Sequence, residues 1–188
     1  MGINIGIDID GTVTDPYGFI PFLNEIFGKN ITKEQYTTLD WEQLYGTVEG
    51  DFYINFDNNY SYTYEAAEPA EFAVEVIKKL ENSEDINVYF VTARRECLKE
   101  ITEKWFDKYG INANNIYLLG PVKKSGKALE LGCDIFIEDD PNNAMDIAKN
   151  GIDVLLIDTN YNKDVECDNI TRVRNWKDID EFISNRLK

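Results

Sequence analysis

Histidine is absent from all 188 residues, and that absence narrows the chemistry more than any residue present. Without imidazole there is no Ser-His-Asp triad, no Cys-His pair and no zinc centre built on histidine. Acid–base work falls to carboxylates, lysine, tyrosine or water. Positive charge is scarce too: 19 Lys and Arg stand against 35 Asp and Glu, a formal net charge of −16. Such a chain is a poor partner for a nucleic-acid polymer, whose affinity comes mostly from cations laid on phosphates. No apolar run approaches the ~20 residues that cross a bilayer, so no membrane is expected. The first apolar strand starts so close to Met1 that no leader is expected either. Cys97, Cys133 and Cys167 are odd in number and lack CxxC spacing, which predicts reduced, structural thiols and a cytoplasmic location.

Ile3 to Ile7 is an apolar run that reads as a buried strand. It is followed by Asp8-Ile9-Asp10-Gly11-Thr12, so two carboxylates leave its carboxyl end, where a parallel α/β sheet places its ligands. The carboxylates repel one another unless a cation intervenes, and a hard divalent ion such as Mg²⁺ suits one or two carboxylates plus substrate oxygens.

The segment from Pro16 to about Ala67 lacks strand alternation and is rich in aromatic residues. Phe19, Ile20, Phe22, Leu23, Ile26 and Phe27 recur at helical spacing up to Gly28, a C-cap, and Thr32-Lys33-Glu34-Gln35 predicts the start of a second helix. Residues 16–67 are therefore read as a small, mainly helical cap inserted after the first strand. The aromatics from Trp41 to Tyr64 are read as its core, with one or two available to stack on a planar ring.

From Pro69 the pattern is regular α/β. Pro69 suits a first helical turn, and Phe72, Val76, Ile77 and Leu80 share a face. Ile86 to Val91 is a strand ending in Thr92-Ala93-Arg94-Arg95, with a helix next that carries Leu98, Ile101, Trp105 and Phe106. Thr92 is then either a helix cap or an anion ligand at a helix N-terminus. Ile116 to Leu119 makes a short strand. Gly120-Pro121-Val122-Lys123-Lys124-Ser125-Gly126 leads into a helix, and its glycine spacing is one residue too long for a P-loop. Asp134 to Ile137 ends in Glu138-Asp139-Asp140-Pro141-Asn142-Asn143. Three consecutive carboxylates at a strand end repel one another unless a cation or hydrogen bonds compensate, and an N-cap role for Asp139 or Asp140 is the simpler alternative. Asp153 to Ile157, an edge strand near Ile170 to Arg174 and a helix from Trp176 to Leu187 complete an α/β chain.

The four strand ends resemble the haloacid dehalogenase-like superfamily. Asp8-Ile9-Asp10-Gly11-Thr12 is similar to its first motif, Thr92 to the second, Lys124 to the third, and Glu138-Asp139-Asp140 with Asn143 to the acidic fourth. Phe-Val-Thr-Ala-Arg, Ile-Glu-Asp-Asp-Pro and the position of the cap are most similar to the 5′-nucleotidase, deoxyribonucleotidase-like branch. The resemblance implies a three-layer Rossmann-like parallel sheet, with residues 1–15 and 68–188 as core domain and 16–67 as cap. It implies a Mg²⁺-dependent phosphomonoesterase in which Asp8 attacks phosphorus to give an aspartyl-phosphate and Asp10 serves as acid, then base. The metal would be held by Asp8, the Asp10 carbonyl and Asp139; Thr92, Ala93, Arg94 and Lys124 would bind the phosphoryl oxygens, with Lys123 or Lys127 as substitutes for Lys124. The expected substrate is a nucleoside monophosphate. A sugar phosphate or other small metabolite is the alternative, and a non-catalytic phosphate- or metal-binding module the reading from another class.

Overall fold

The computed structural model describes residues 2–187. Strands β1 (Ile3–Ile7), β2 (Ile86–Thr92), β3 (Ile116–Leu118), β4 (Ile135–Glu138), β5 (Asp153–Ile157) and β6 (Ile170–Val173) form one parallel sheet in the order β3-β2-β1-β4-β5-β6. Side chains alternate across a strand, so each strand serves two cores. Ile135, Ile137, Leu155 and Ile157 join Ile5, Ile7 and Phe90 on one face, where helices α5 (Ala73–Glu81), α6 (Lys99–Tyr109) and α9 (Trp176–Arg186) bring Ile77, Trp105 and Trp176. Phe136, Val154 and Leu156 point the other way, against Ala128 of α7 (Lys124–Glu130) and Ala144 and Ile147 of α8 (Pro141–Lys149). The expected three-layer Rossmann-like α/β fold is the observed one.

The chain order reverses at β1. The connections run outward through β2 and β3, then return to place β4 on the other side of β1. Loops on the two sides of such a reversal diverge and leave a crevice at the strands' carboxyl ends. Gly11 turns the chain out of β1 with φ +86, a conformation that costs an ordinary residue about 1–2 kcal/mol. Trp176 anchors the far side of that turn through Nε1 donating to the Thr12 carbonyl at 2.9 Å.

Between β1 and α5 lie four short helices: α1 (Ile20–Phe27), α2 (Trp41–Tyr45), α3 (Phe52–Tyr60) and α4 (Tyr62–Ala66). Asp40 and Asp51 cap α2 and α3 by accepting from the amides of Gln43 and Ile54, and Gly28 ends α1 at φ 61. Their buried faces make an aromatic cluster of Phe19, Tyr36, Trp41, Tyr45, Phe52, Phe56 and Tyr64, joined by Leu98 and Tyr161 from the α/β part.

Three local expectations are corrected. Thr32 to Gln35 makes only a single turn: the Gln35 side chain accepts from the Thr32 amide as a capping box requires, but the buried Tyr36 is followed by β-branched Thr37 and Thr38, and the chain leaves the turn. Pro69 is not in a helical turn but forms an antiparallel bridge with Thr14; α5 begins after Phe72, which takes φ 66 to redirect the chain. Thr92 does not precede a helix directly, because a 3₁₀ turn at Glu96–Leu98 comes before α6.

Candidate active site

The crevice at the reversal point is a cavity of about 330 Å³, reached by Asp8, Asp10, Thr92, Ala93, Arg94, Lys124 and Asp139 from the strand ends and roofed by Phe19, Trp41, Tyr53 and Tyr64. Asp8 leaves β1 and Asp139 leaves the adjacent β4. One carboxylate oxygen from each, with one from Glu138, lies within 4.8 Å of the others. All three residues are buried, and Lys124 reaches among them from the first residue of α7: its Nζ lies 2.6 Å from Asp8 Oδ1 and 2.9 Å from Glu138 Oε2.

Electrostatics follow from that packing. Burial, only partly offset by Lys124, raises the Asp8 carboxyl above its ordinary range. Burial together with the charge on Asp8 raises Glu138 well above its own. Asp139 is pushed up to about 8 by burial and by Asp8, against the pull of hydrogen bonds from Tyr161 and Thr12. Burial alone would lower the Lys124 ammonium; the carboxylates of Asp8 and Glu138 outweigh it and hold the proton. The set is an all-oxygen, anionic cluster that resists full ionisation, the donor chemistry of a hard divalent cation. Mg²⁺ fits it: Asp8 and Asp139 would supply carboxylate oxygens while Glu138 remains engaged with Lys124 and the amides of Asp139 and Asp140, at 3.2 and 3.0 Å.

Asp10 is the more open carboxylate, and the Arg94 guanidinium meets it in a fork, Nε to Oδ2 at 2.9 Å and Nη2 to Oδ1 at 2.7 Å. Nη1 donates to Thr102 Oγ1 at 3.0 Å, and the guanidinium lies 4.9 Å from the centre of the Tyr64 ring. Each guanidinium nitrogen of Arg94 therefore has a partner within the protein, while its amide donates to Thr92 Oγ1. Ala93 is exposed at the cavity wall. Lys123 and Lys127 point elsewhere, to Asp146 and Glu130. Asp140 is the N-cap of α8, bonded to the amides of Asn142 and Asn143, so the simple capping alternative holds for Asp140 and not for Asp139.

Sequence reasoning missed several residues here. Tyr161 and Thr12 hold Asp139. Asp57 of α3 is a buried carboxylate in the roof, bound by Tyr64 Oη at 2.7 Å and Arg95 Nη1 at 2.8 Å. Thr12 lies inside the Asp8-Ile9-Asp10-Gly11-Thr12 motif and Tyr161 follows β5, but neither carries in the sequence a sign that its partner is Asp139.

Comparison with known proteins bears on the family and the fold. A nucleotidase of Clostridium acetobutylicum is 37% identical over 178 residues, 94% of this chain and 91% of that protein. Two solved structures share the fold: a HAD-family hydrolase of Deinococcus radiodurans with bound phosphate and sodium (TM-score 0.69, 12% identity, 98% and 96% of the two chains), and the HAD hydrolase YfnB of Bacillus subtilis bound to magnesium (TM-score 0.64, 14% identity, 97% and 99%). The family model described as 5′ nucleotidase, deoxy (pyrimidine), cytosolic type C protein matches residues 2–188. Matched along essentially its whole length, the chain belongs to that nucleotidase family and is a phosphoric monoester hydrolase, and its fold is the one those HAD-family structures share.

Proposed function

We propose that this phosphatase is a Mg²⁺-dependent nucleotidase that hydrolyses a nucleoside monophosphate through an aspartyl-phosphate on Asp8. The observation that carries the reading is the approach of Asp8 to Asp139 within 4.8 Å across two neighbouring strand ends, with Lys124 beside them. Mg²⁺, held by Asp8, Asp139 and the Asp10 carbonyl, would offset negative charge on the phosphoryl group as carboxylate and phosphate approach. Asp8 attacks phosphorus through a carboxylate oxygen as the bond to the ester oxygen breaks. Lys124, already against Asp8, and Thr92 with the nearby backbone at Ala93 bind the equatorial oxygens; Arg94 reaches the site chiefly through Asp10. Asp10 passes a proton to the departing alkoxide and later takes one from the water that hydrolyses the aspartyl-phosphate. The first of these steps needs Asp10 protonated, so one contact of the Arg94 fork has to yield as that proton arrives.

Residues 16–67 act as the cap, and 1–15 with 68–188 as the core. The aromatic roof of Phe19, Trp41, Tyr53 and Tyr64 favours a substrate with a planar ring over a bare sugar phosphate. Cys97, Cys133 and Cys167 are all unpaired, which suits a reducing, cytoplasmic setting; among the described residues no helix is long and apolar enough to cross a membrane. The test is phosphate release from a panel of nucleoside and sugar monophosphates with and without Mg²⁺, and with Asp8→Asn as control. Turnover by Asp8→Asn would rule out the covalent route, and turnover of sugar phosphates alone would transfer the substrate to that class.

A further inference from the structure

Asp139 accepts two hydroxyl hydrogen bonds, one on each carboxylate oxygen. Thr12 Oγ1 donates to Oδ1 at 2.7 Å and Tyr161 Oη to Oδ2 at 2.6 Å. Both bonds are buried, and both donors come from loops at strand ends, Thr12 after β1 and Tyr161 after β5. The Tyr161 loop is itself pinned: Asn162 Nδ2 donates to the Asp139 and Ile157 carbonyls at 2.8 Å, and Arg172 Nη1 donates to Asn162 Oδ1 at 2.8 Å. On its other side the Tyr161 ring meets the edges or faces of Tyr17 and Tyr36, with centroids at 6.2 and 5.8 Å. Packed on these two rings and hydrogen-bonded to Asp139, the Tyr161 hydroxyl is a buried, held donor.

A carboxylate free to rotate presents an oxygen to a metal only part of the time, whereas one clamped on both oxygens keeps a lone pair of each directed into the cleft. The geometry points to Tyr161 as a positioning residue for the metal centre: its hydroxyl, with that of Thr12, holds Asp139 in the orientation that shares a cation with Asp8. This rests on the Mg²⁺ reading proposed above. Because the same ring packs on Tyr17 and Tyr36, which lie in the segment between β1 and α2, the seating of that segment and the aim of the metal ligand are mechanically connected.

The experiment is a calorimetric titration of metal-free protein with MgCl₂, comparing wild type, Tyr161→Phe, Tyr161→Leu and Thr12→Val, each with its metal-free melting temperature. Tyr161→Phe keeps the ring packing and removes only the hydroxyl, so its Mg²⁺ dissociation constant should rise about 10–100-fold, the range seen when an outer partner of a metal ligand is removed. Tyr161→Leu should weaken binding at least as much, and Thr12→Val should act in the same direction. Wild-type Mg²⁺ affinity in a folded Tyr161→Phe would overturn the inference, as would a fall in melting temperature with no change in affinity in both hydroxyl deletions. Failure of the wild type to bind Mg²⁺ at all would instead remove the functional reading on which it rests.

Discussion

Lys124 is the group whose removal the structure prices most sharply. Its Nζ is buried between Asp8 and Glu138, at 2.6 and 2.9 Å, and neither carboxylate has another cationic side chain at that distance among the described residues. Lys124→Met retains the stem and deletes the charge. Breaking a buried pair from one side costs about 3–5 kcal/mol, because the other charge is left without a counterion, and here two carboxylates lose the same partner. For a domain of this size that corresponds to a fall in melting temperature of about 6–20 °C. The loss should depend on pH. Asp8 and Glu138 have folded-state pKa values raised by burial, so at low pH they are neutral and need no ammonium, while above their folded values they are charged and unpaired. The Lys124 ammonium itself stays protonated throughout this range, since its own pKa is raised. The variant should therefore lie closer to wild type at acid pH than at pH 8. Thermal melts in EDTA measure this, because a divalent cation would stand in for the ammonium. Adding Glu138→Gln to Lys124→Met should recover part of the loss at pH 8, a coupling readable from a double-mutant cycle. A Lys124→Met protein as stable as wild type at pH 8, or one whose deficit is the same at both pH values, would refute the electrostatic account of this cluster.

Asp139, raised to about 8 in the fold against an ordinary 3.8, makes the metal-free protein lose stability as pH rises from about 4 toward 8, so the gain in melting temperature on adding Mg²⁺ should be larger at pH 8 than at pH 6. Gly11→Ala should cost about 1–2 kcal/mol for its φ of +86, and because the new methyl would press on the Asp139 carboxylate, Mg²⁺ affinity measured by calorimetry should fall as well. Phe56→Ala, at the centre of the aromatic cluster and 1% exposed, should destabilise by about 3–5 kcal/mol in denaturant melts. Arg94→Gln should lower kcat for a nucleotide ester much more than it weakens inhibition by inorganic phosphate, since Arg94 holds Asp10 and its remaining edge is taken by Thr102.

The strand ends were legible because chemistry there is written in consecutive residues. Asp8 to Thr12 and Glu138 to Asn143 each announce a turn by charge following an apolar run, and the sheet then brings them together by adjacency of β1 and β4. What could not be read is what depends on partners distant in sequence. Arg94 looked like one more phosphate ligand, and only the three-dimensional fork with Asp10, 84 residues away, gives it a different place. Tyr161 carries no motif; its hydroxyl matters because a loop after β5 arches over the end of β4. Thr32 to Gln35 had the local signature of a helix start, and the demand to bury Tyr36 in the aromatic cluster overrode it. Phe72 at φ 66 is likewise a tertiary compromise, invisible to any propensity.

Charge balance gives the order of events in the cleft. Burial holds the metal-free cluster short of full ionisation, but were Asp8, Asp10, Glu138 and Asp139 all charged they would contribute −4 against +2 from Lys124 and Arg94, an excess of −2 where an anionic ester must arrive. The chain as a whole adds to the repulsion with its −16, although charges beyond about 8 Å are largely screened at physiological salt. One Mg²⁺ cancels the local excess. To the extent that those carboxylates are ionised, a phosphate monoester would meet a repelling site before the proposed metal binds and a less repelling one afterwards. Metal-first binding follows from this sum, and inorganic phosphate should bind the metal-free protein far more weakly than the Mg²⁺-loaded one. Phosphate binding equally well with and without Mg²⁺ would show that the cleft never carries the excess negative charge that its four carboxylates imply.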